Sequence, residues 1–241
     1  MARTRLSRRT AVGLGLTAAA ALVLDALLGG LGRGRLGSIE TVSLPEPRRD
    51  GDVSVEAAIE NRRSRREYAA RPLDRVELGQ LLWATQGITA RPGVLRAAPS
   101  AGALYPLELY VVVGDPGVGD LDAGVYHYRP VTHELDLLER GDRRADLQAA
   151  SIDQEAVGRA PVDVVVCAVD ERTTRKYGER GEWRYVPMEA GHAGENLYLQ
   201  AEALGLSTVS IGAFDDGRVR SLVGAPADQR PLYVFPVGAR A

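Results

Sequence analysis

Three short stretches carry groups that could do chemistry. In Arg62-Arg63-Ser64-Arg65-Arg66, five consecutive residues hold four guanidinium groups and one hydroxyl. On a surface these charges repel one another, so an anionic partner is their natural complement, and the guanidinium fork matches phosphate oxygens two at a time. A solvated basic turn fits the same residues. In Pro99-Ser100-Ala101-Gly102-Ala103-Leu104-Tyr105-Pro106, small residues lie between two prolines. Backbone there can approach a ligand closely, and Ser100 can donate a hydrogen bond. Ile211-Gly212-Ala213 ends a strand in small residues, which leaves backbone N–H groups uncovered, as a planar hydrogen-bonding cofactor requires. A plain core helix and strand account for that last stretch equally well.

These groups need elements to hold them. Ala190, Ala193, Leu197, Ala201 and Leu204 recur at helical spacing and predict a helix with one buried stripe. Gly191 and Gly194 weaken that helix, which points to close approach by another backbone or a flat ligand. Gly205 fits the left-handed position past its end, and Ser207–Ile211 follows as a strand. Upstream, Ser54–Asn61 reads as a short helix capped by Ser54 or Asp52. Asp74 and Glu77 form a capping-box pattern ahead of Leu78, Leu81 and Leu82. Thr89–Ala98 reads as a loop. Leu107–Val113 and Val162–Val169 are apolar enough for a sheet interior, Gly124–Tyr128 pairs with Glu134–Leu138 as a hairpin, and Pro231–Val237 is a last strand. Asp142–Ala150 and Asp153–Gly158 read as helices, as does a segment capped by Asp215 or Asp216 and running through Val223. Glu171–Pro187 reads as a long polar loop, a kind that often carries function. Strands with separate helices give an α+β class rather than a βαβ repeat.

The 241 residues carry a net charge of −2. Residues 1–36 hold six arginines against Asp25, a balance of +5, so −7 remains for the rest. An acidic body is a poor nucleic-acid binder. Cys167 is the single cysteine, which excludes an intrachain disulfide, and it falls in a buried apolar run. His127, His133 and His192 lack metal-ligand spacing, and no GxGxxG follows a strand, so neither a zinc centre nor a Rossmann nicotinamide site is expected. Ser7-Arg8-Arg9-Thr10 ahead of the apolar run Ala11–Leu31 has the twin-arginine export pattern, interrupted by Asp25. Residues 1–35 are thus expected to direct export to the periplasm or cell surface, or to stay as a membrane anchor. A cytoplasmic location follows if the signal is inactive. Residues 36–50 are expected to be a linker, and 51–241 the folded domain.

Taken in order, RRSRREY (62–68), LLWATQGIT (81–89), RAAPSAGALYPLELYVV (96–112), GVYHY (124–128), KYGERG (176–181), EAGHAGENLYLQAEALGL (189–206) and IGAF (211–214) resemble the FMN-dependent nitroreductase family, and within it the SagB/ThcOx-type dehydrogenase branch. The resemblance spans residues 51–241. It implies an α+β sandwich with a central mixed sheet flanked by helices, forming an intertwined homodimer with FMN at the interface. Arg62, Arg63, Ser64 and Arg66 would bind the FMN phosphate and ribityl chain, with Arg240 a further candidate for the phosphate. Pro99, Ser100, Ala101 and Gly102 would come from the partner subunit and line the flavin ring. Ile211, Gly212 and Ala213 would bring backbone N–H groups to its N5 edge. Lys176 and Tyr177 match a pair implicated in catalysis in the azoline-oxidising branch, where ring-proton removal accompanies hydride transfer to FMN. Ser64 and Ser100 are then hydrogen-bonding groups rather than hydrolase serines, and His192 is a satisfied helix residue.

The resulting expectation is an FMN-dependent oxidoreductase passing hydride between a small molecule or modified peptide and flavin by a ping-pong route. Two alternatives stand beside it: an NAD(P)H-dependent nitro or quinone reductase, and a non-catalytic flavin-binding module.

Overall fold

Residues 40–90 and 95–241 are described in a computed structural model of the chain. The expected export segment, 1–35, lies outside them. Strand β1 (Thr41–Ser43) precedes helices α1 (Val55–Asn61) and α2 (Arg75–Gln86) and a small hairpin, β2 (Ile88–Ala90) with β3 (Leu95–Arg96). Strands β4 (Leu107–Val113), β5 (Gly124–Arg129) and β6 (Glu134–Arg140) follow, then helices α3 (Arg144–Ala150) and α4 (Glu155–Arg159). Strand β7 (Val162–Val169) leads to α5 (Glu171–Tyr177), α6 (Val186–Ala203), β8 (Leu206–Thr208), α7 (Asp216–Leu222) and β9 (Gln229–Ala239).

The main sheet runs β1-β6-β5-β4-β7-β9-β8. Every ladder in it is antiparallel, where a mixed sheet was expected. The α+β class stands. No sequence pattern distinguishes the two pairings when a sheet is covered on both faces, because its central strands read as continuous apolar runs either way. β7 is buried at all eight positions. Its pleat divides the core in two. Val162, Val164, Val166 and Ala168 join Leu107, Leu109, Val111 and Val113 against Leu78, Leu81 and Leu82 of α2 and Ala190, Ala193 and Leu197 of α6. Val165 and Cys167 face the other way, with Tyr110, toward α3, α4 and α7. Two helical layers therefore cover one sheet.

The caps behave as their residue types dictate. Ser54 accepts the Ala57 N–H, Asp215 accepts the Arg218 N–H, and Asp74 and Glu77 close a reciprocal box. Gly205 adopts φ +69° just past α6.

Three expectations need correction. Residues 40–50 are not linker throughout: β1 pairs with β6, Leu44 is buried, and the Gln80 side chain bonds both the N–H and the C=O of Arg48. An edge strand of three residues is too short to show a period. The expected loop at Thr89–Ala98 holds the β2–β3 hairpin. Glu171–Pro187 is helical for most of its length: α5 is followed by a π-helical turn, Gly181–Tyr185, that runs straight into α6. α5 is short and turns little apart from Thr173 inward, so its sequence looks uniformly polar. Gly181 lies so close to the Thr173 backbone that a Cβ would stand 2.8 Å from it.

Candidate active site

Two groups of predicted residues are assembled at different places in the fold. The first collects around Tyr198 of α6. The chain leaving α1 carries Arg62–Arg66, and the Arg65 N–H bonds the Thr208 carbonyl at the end of β8 (2.9 Å). Ser64 Oγ and the Tyr198 hydroxyl share a hydrogen bond of 2.9 Å, and that hydroxyl also accepts the Ser210 N–H at 2.7 Å. One side chain thus ties the arginine segment to the turn at Ile211–Ala213. The Arg62 guanidinium stacks on the Tyr198 ring and stands 4.0 Å from Glu195.

The arginines are not equivalent. Arg65 and Arg240 both pair with buried Glu202, at 2.7 and 2.8 Å. Arg63 turns back onto the carbonyls of Glu60 and Arg62, ending α1. Arg66 is exposed, and among the described residues neither Arg63 nor Arg66 forms an ion pair. Uncompensated guanidinium charge at this end, next to the Ser64 hydroxyl, is what a phosphate monoester would neutralise. At the turn, both backbone groups of Ile211 are spent on Val234, so Ile211 anchors the turn and cannot offer its N–H. Gly212 and Ala213 are exposed, their N–H groups have no partner among the described residues, and a Cβ on Gly212 would meet nothing within 4 Å. Unpaired guanidinium charge and an open backbone edge, joined by Tyr198, suit a phosphorylated planar ligand.

The second group is the Pro99–Tyr105 segment with α5. Gly102 has φ +63°, and a Cβ there would lie 2.8 Å from both Lys176 Nζ and the Tyr177 hydroxyl. Two motifs separated by more than seventy residues therefore meet over one glycine, which leaves room for both head groups. Lys176 is exposed and Tyr177 half-buried, its ring edge-on to Tyr185 at 4.9 Å. α5 is held by Arg172, which bonds the Tyr105 carbonyl at 3.0 Å and pairs with Glu108 of β4 at 2.5 Å. Glu108 also takes His127 at 2.8 Å. Burial opposes ionisation of Glu108, but His127 and Arg172 together hold its carboxyl below the usual range. His192 is exposed on α6.

Several residues escaped the sequence reading. Glu189 is 2% exposed and pushed up to about 7 by burial, against the pull of Ser100 and Arg96. A signal was available: Glu189 lies four residues before Ala193 and eight before Leu197, so a carboxylate occupies the buried stripe. Tyr198 and Glu202 sat inside a recognised stretch, but nothing local marks the partners they find across the fold.

A model of the nitroreductase family matches residues 59–239. The chain is 40% identical over 205 residues to MJ1384 of Methanocaldococcus jannaschii, a protein assigned to the nitroreductases, covering 85% of this chain and 99% of that one. It is 32% identical over 150 residues to the microcin B17-processing protein McbC of Escherichia coli, covering 59% of this chain but only 54% of McbC. Among solved structures, a nitroreductase-type protein of Ralstonia eutropha superposes with a TM-score of 0.73 at 29% identity, covering 88% of this chain and 95% of that one. The chain belongs to the nitroreductase family of oxidoreductases, and its likeness to McbC supports the SagB-type branch.

Proposed function

We propose that this protein is an FMN-dependent dehydrogenase that oxidises a heterocycle, such as an azoline in a modified peptide, by a ping-pong route. The observation that carries the reading is the meeting of Lys176 Nζ and the Tyr177 hydroxyl above Gly102. Bound flavin would supply hydride acceptance, which no side chain can provide. The chain supplies the rest. Arg62, Arg63, Ser64 and Arg66 would hold the phosphate. Arg240 is already neutralised by Glu202 and would contribute less. Gly212 and Ala213 would bond the ring edge through their N–H groups. Making a ring double bond also releases a proton, which Lys176 would accept, with Tyr177 orienting the substrate.

Pro99–Gly102 would reach the flavin of the partner subunit in a homodimer. Exposed Val55, Ile59, Trp183 and Met188 are apolar surface such a dimer could bury. McbC is a microcin B17-processing protein, and that relationship supports a peptide substrate here. Export of the folded, loaded protein through residues 1–35 belongs to the same reading.

The test is reconstitution with FMN followed by turnover of an azoline-bearing peptide, with NAD(P)H and a nitroarene offered in parallel. Lys176→Ala with Tyr177→Ala should keep flavin binding and lose azoline oxidation by at least a hundredfold. Protein that takes up no FMN overturns the reading. So does a double variant with unchanged turnover, or activity confined to NAD(P)H and the nitroarene.

A further inference from the structure

Arginine does almost every cationic job in this chain. Among its 30 basic residues, Lys176 is the single lysine. The two types are not interchangeable. A guanidinium keeps its protons and offers a rigid planar fork, whereas an amine sits on a flexible stem and can pass a proton on. The flexible stem helps a transfer and hinders placement. Lys176 stands exposed in the last turn of α5, so its own side chain does little to fix where Nζ sits. Another group must set the end of α5 over Gly102.

Arg172, one turn earlier on α5, has the contacts to do so. Its Nη1 donates to the Tyr105 carbonyl at 3.0 Å, and its Nη2 meets Glu108 Oε1 at 2.5 Å. Both acceptors are firmly held. Tyr105 belongs to the same turn as Gly102, and the Ser100 hydroxyl oxygen accepts its N–H at 2.9 Å. The Arg96 N–H reaches the Tyr105 hydroxyl at 3.3 Å, and the Arg96 guanidinium lies 5.1 Å from the ring centroid. That grip maintains φ of +54° at Ala103 and +47° at Tyr105, a region that side chains disfavour. Glu108 lies in β4, the middle strand of the main sheet, and its other oxygen takes His127 at 2.8 Å. Beside Arg172, buried Thr173 lies against Gly181, where a Cβ would stand 2.8 Å from its backbone. The start of α5 is thus fixed at two neighbouring residues, and the turn that follows carries Lys176 and Tyr177 to Gly102.

We infer that Arg172 is a positioning residue for the Lys176–Tyr177 pair: by holding the Tyr105 carbonyl and the Glu108 carboxylate on one planar fork, it sets the end of α5 over Gly102. A lysine in its place keeps the charge, but its single nitrogen does not reproduce a fork aimed at one acceptor on the turn and another on the sheet. The effect on turnover rests on the dehydrogenase reading above; the placement of α5 does not.

The experiment measures that placement directly by NMR, in full-length protein perdeuterated except at glycine and lysine, before and after loading with FMN. The single lysine gives one set of ε-CH2 signals. In the wild type these should show a nuclear Overhauser contact with the Gly102 α-protons, because Lys176 Cε lies 3.5 Å from where a Gly102 Cβ would stand. Arg172→Met keeps an apolar stem and neither polar bond. The contact should disappear from that variant while it still folds and takes up FMN, with kcat for the azoline peptide down about 10–100-fold and KM unchanged. Arg172→Lys, whose second lysine signal is the one the wild type lacks, should lose the contact too, and it serves where the Met variant does not fold. A contact that persists at wild-type strength in the folded variants, or is missing from the wild type, overturns the inference. So does a lost contact with unchanged azoline turnover. A contact that follows Arg172 in protein that takes up no FMN, or oxidises no azoline, overturns the flavin or dehydrogenase reading and supports the placement.

Discussion

Gly102→Ala separates the two demands that position makes. The first is conformational: alanine at φ +63° costs about 1–2 kcal/mol relative to an ordinary backbone, a penalty glycine escapes. The second is spatial: the new methyl would stand 2.8 Å from Lys176 Nζ and from the Tyr177 hydroxyl, well inside the ~3.5–4.0 Å of normal contact. Both obstacles are ends of side chains, so they yield before the backbone does. Lys176 is exposed and moves freely, whereas Tyr177 must shift against Tyr185. The predicted loss of stability is therefore about 1–2 kcal/mol, a fall in Tm of roughly 2–8 °C for a domain of this size. Turnover should suffer far more, because displacing reacting groups by about 1 Å can cost ~100-fold. Thermal unfolding followed by circular dichroism gives the first quantity, FMN fluorescence titration shows whether the cofactor still binds, and steady-state kinetics give the loss. Turnover within about twofold of wild type, in protein that is destabilised as predicted, would refute the claim that Gly102 makes room for a working Lys-Tyr pair.

Two further outcomes can be checked without a substrate. Gly191 and Gly194 share a helix but face different neighbours: a Cβ on Gly191 meets nothing within 4 Å, whereas one on Gly194 would be 2.9 Å from Phe235 Cζ. Gly191→Ala should stabilise the protein by about 1 kcal/mol in urea unfolding, whereas in Gly194→Ala the same gain is overtaken by about 1–3 kcal/mol of overpacking against a fixed ring. Glu189 sets a pH dependence. Folding raises its pKa from the ordinary 4.5 to about 7, so between those values the folded state holds the extra proton and stability falls as pH rises, levelling off above 7. Relative to Glu189→Gln, the wild type should lose about 3 kcal/mol across that window in urea titrations at stepped pH; a constant difference would remove Glu189 as its source.

What the sequence revealed was whatever is decided within a few residues. Asp74 and Glu77 announce a helix start because both partners of the box lie on one turn. Val162–Val169 announces a buried strand because every position is apolar or flanked by apolar neighbours. Gly205 announces a helix end because only its backbone takes that conformation cheaply. The site motifs were legible as types, but their duties depend on distant partners. Ile211 looked like a donor until Val234 claimed its N–H, and Arg240 looked like a free cation until Glu202 claimed its charge. The helices in Glu171–Tyr185 were hidden because their exposed faces dominate the composition.

The shared hydroxyl of Tyr198 makes the basic end and the glycine turn one mechanical unit. Ser64 and Ser210 are pinned to the same atom, so the span between them is set by the backbone around a single ring and not by two independent loops. A ligand that settles at one end finds the other already in place, and the ordering cost of gripping it falls once rather than twice. The same strut acts as a gauge of length: a molecule whose anionic group and flat ring are spaced differently can satisfy one end only by giving up the other.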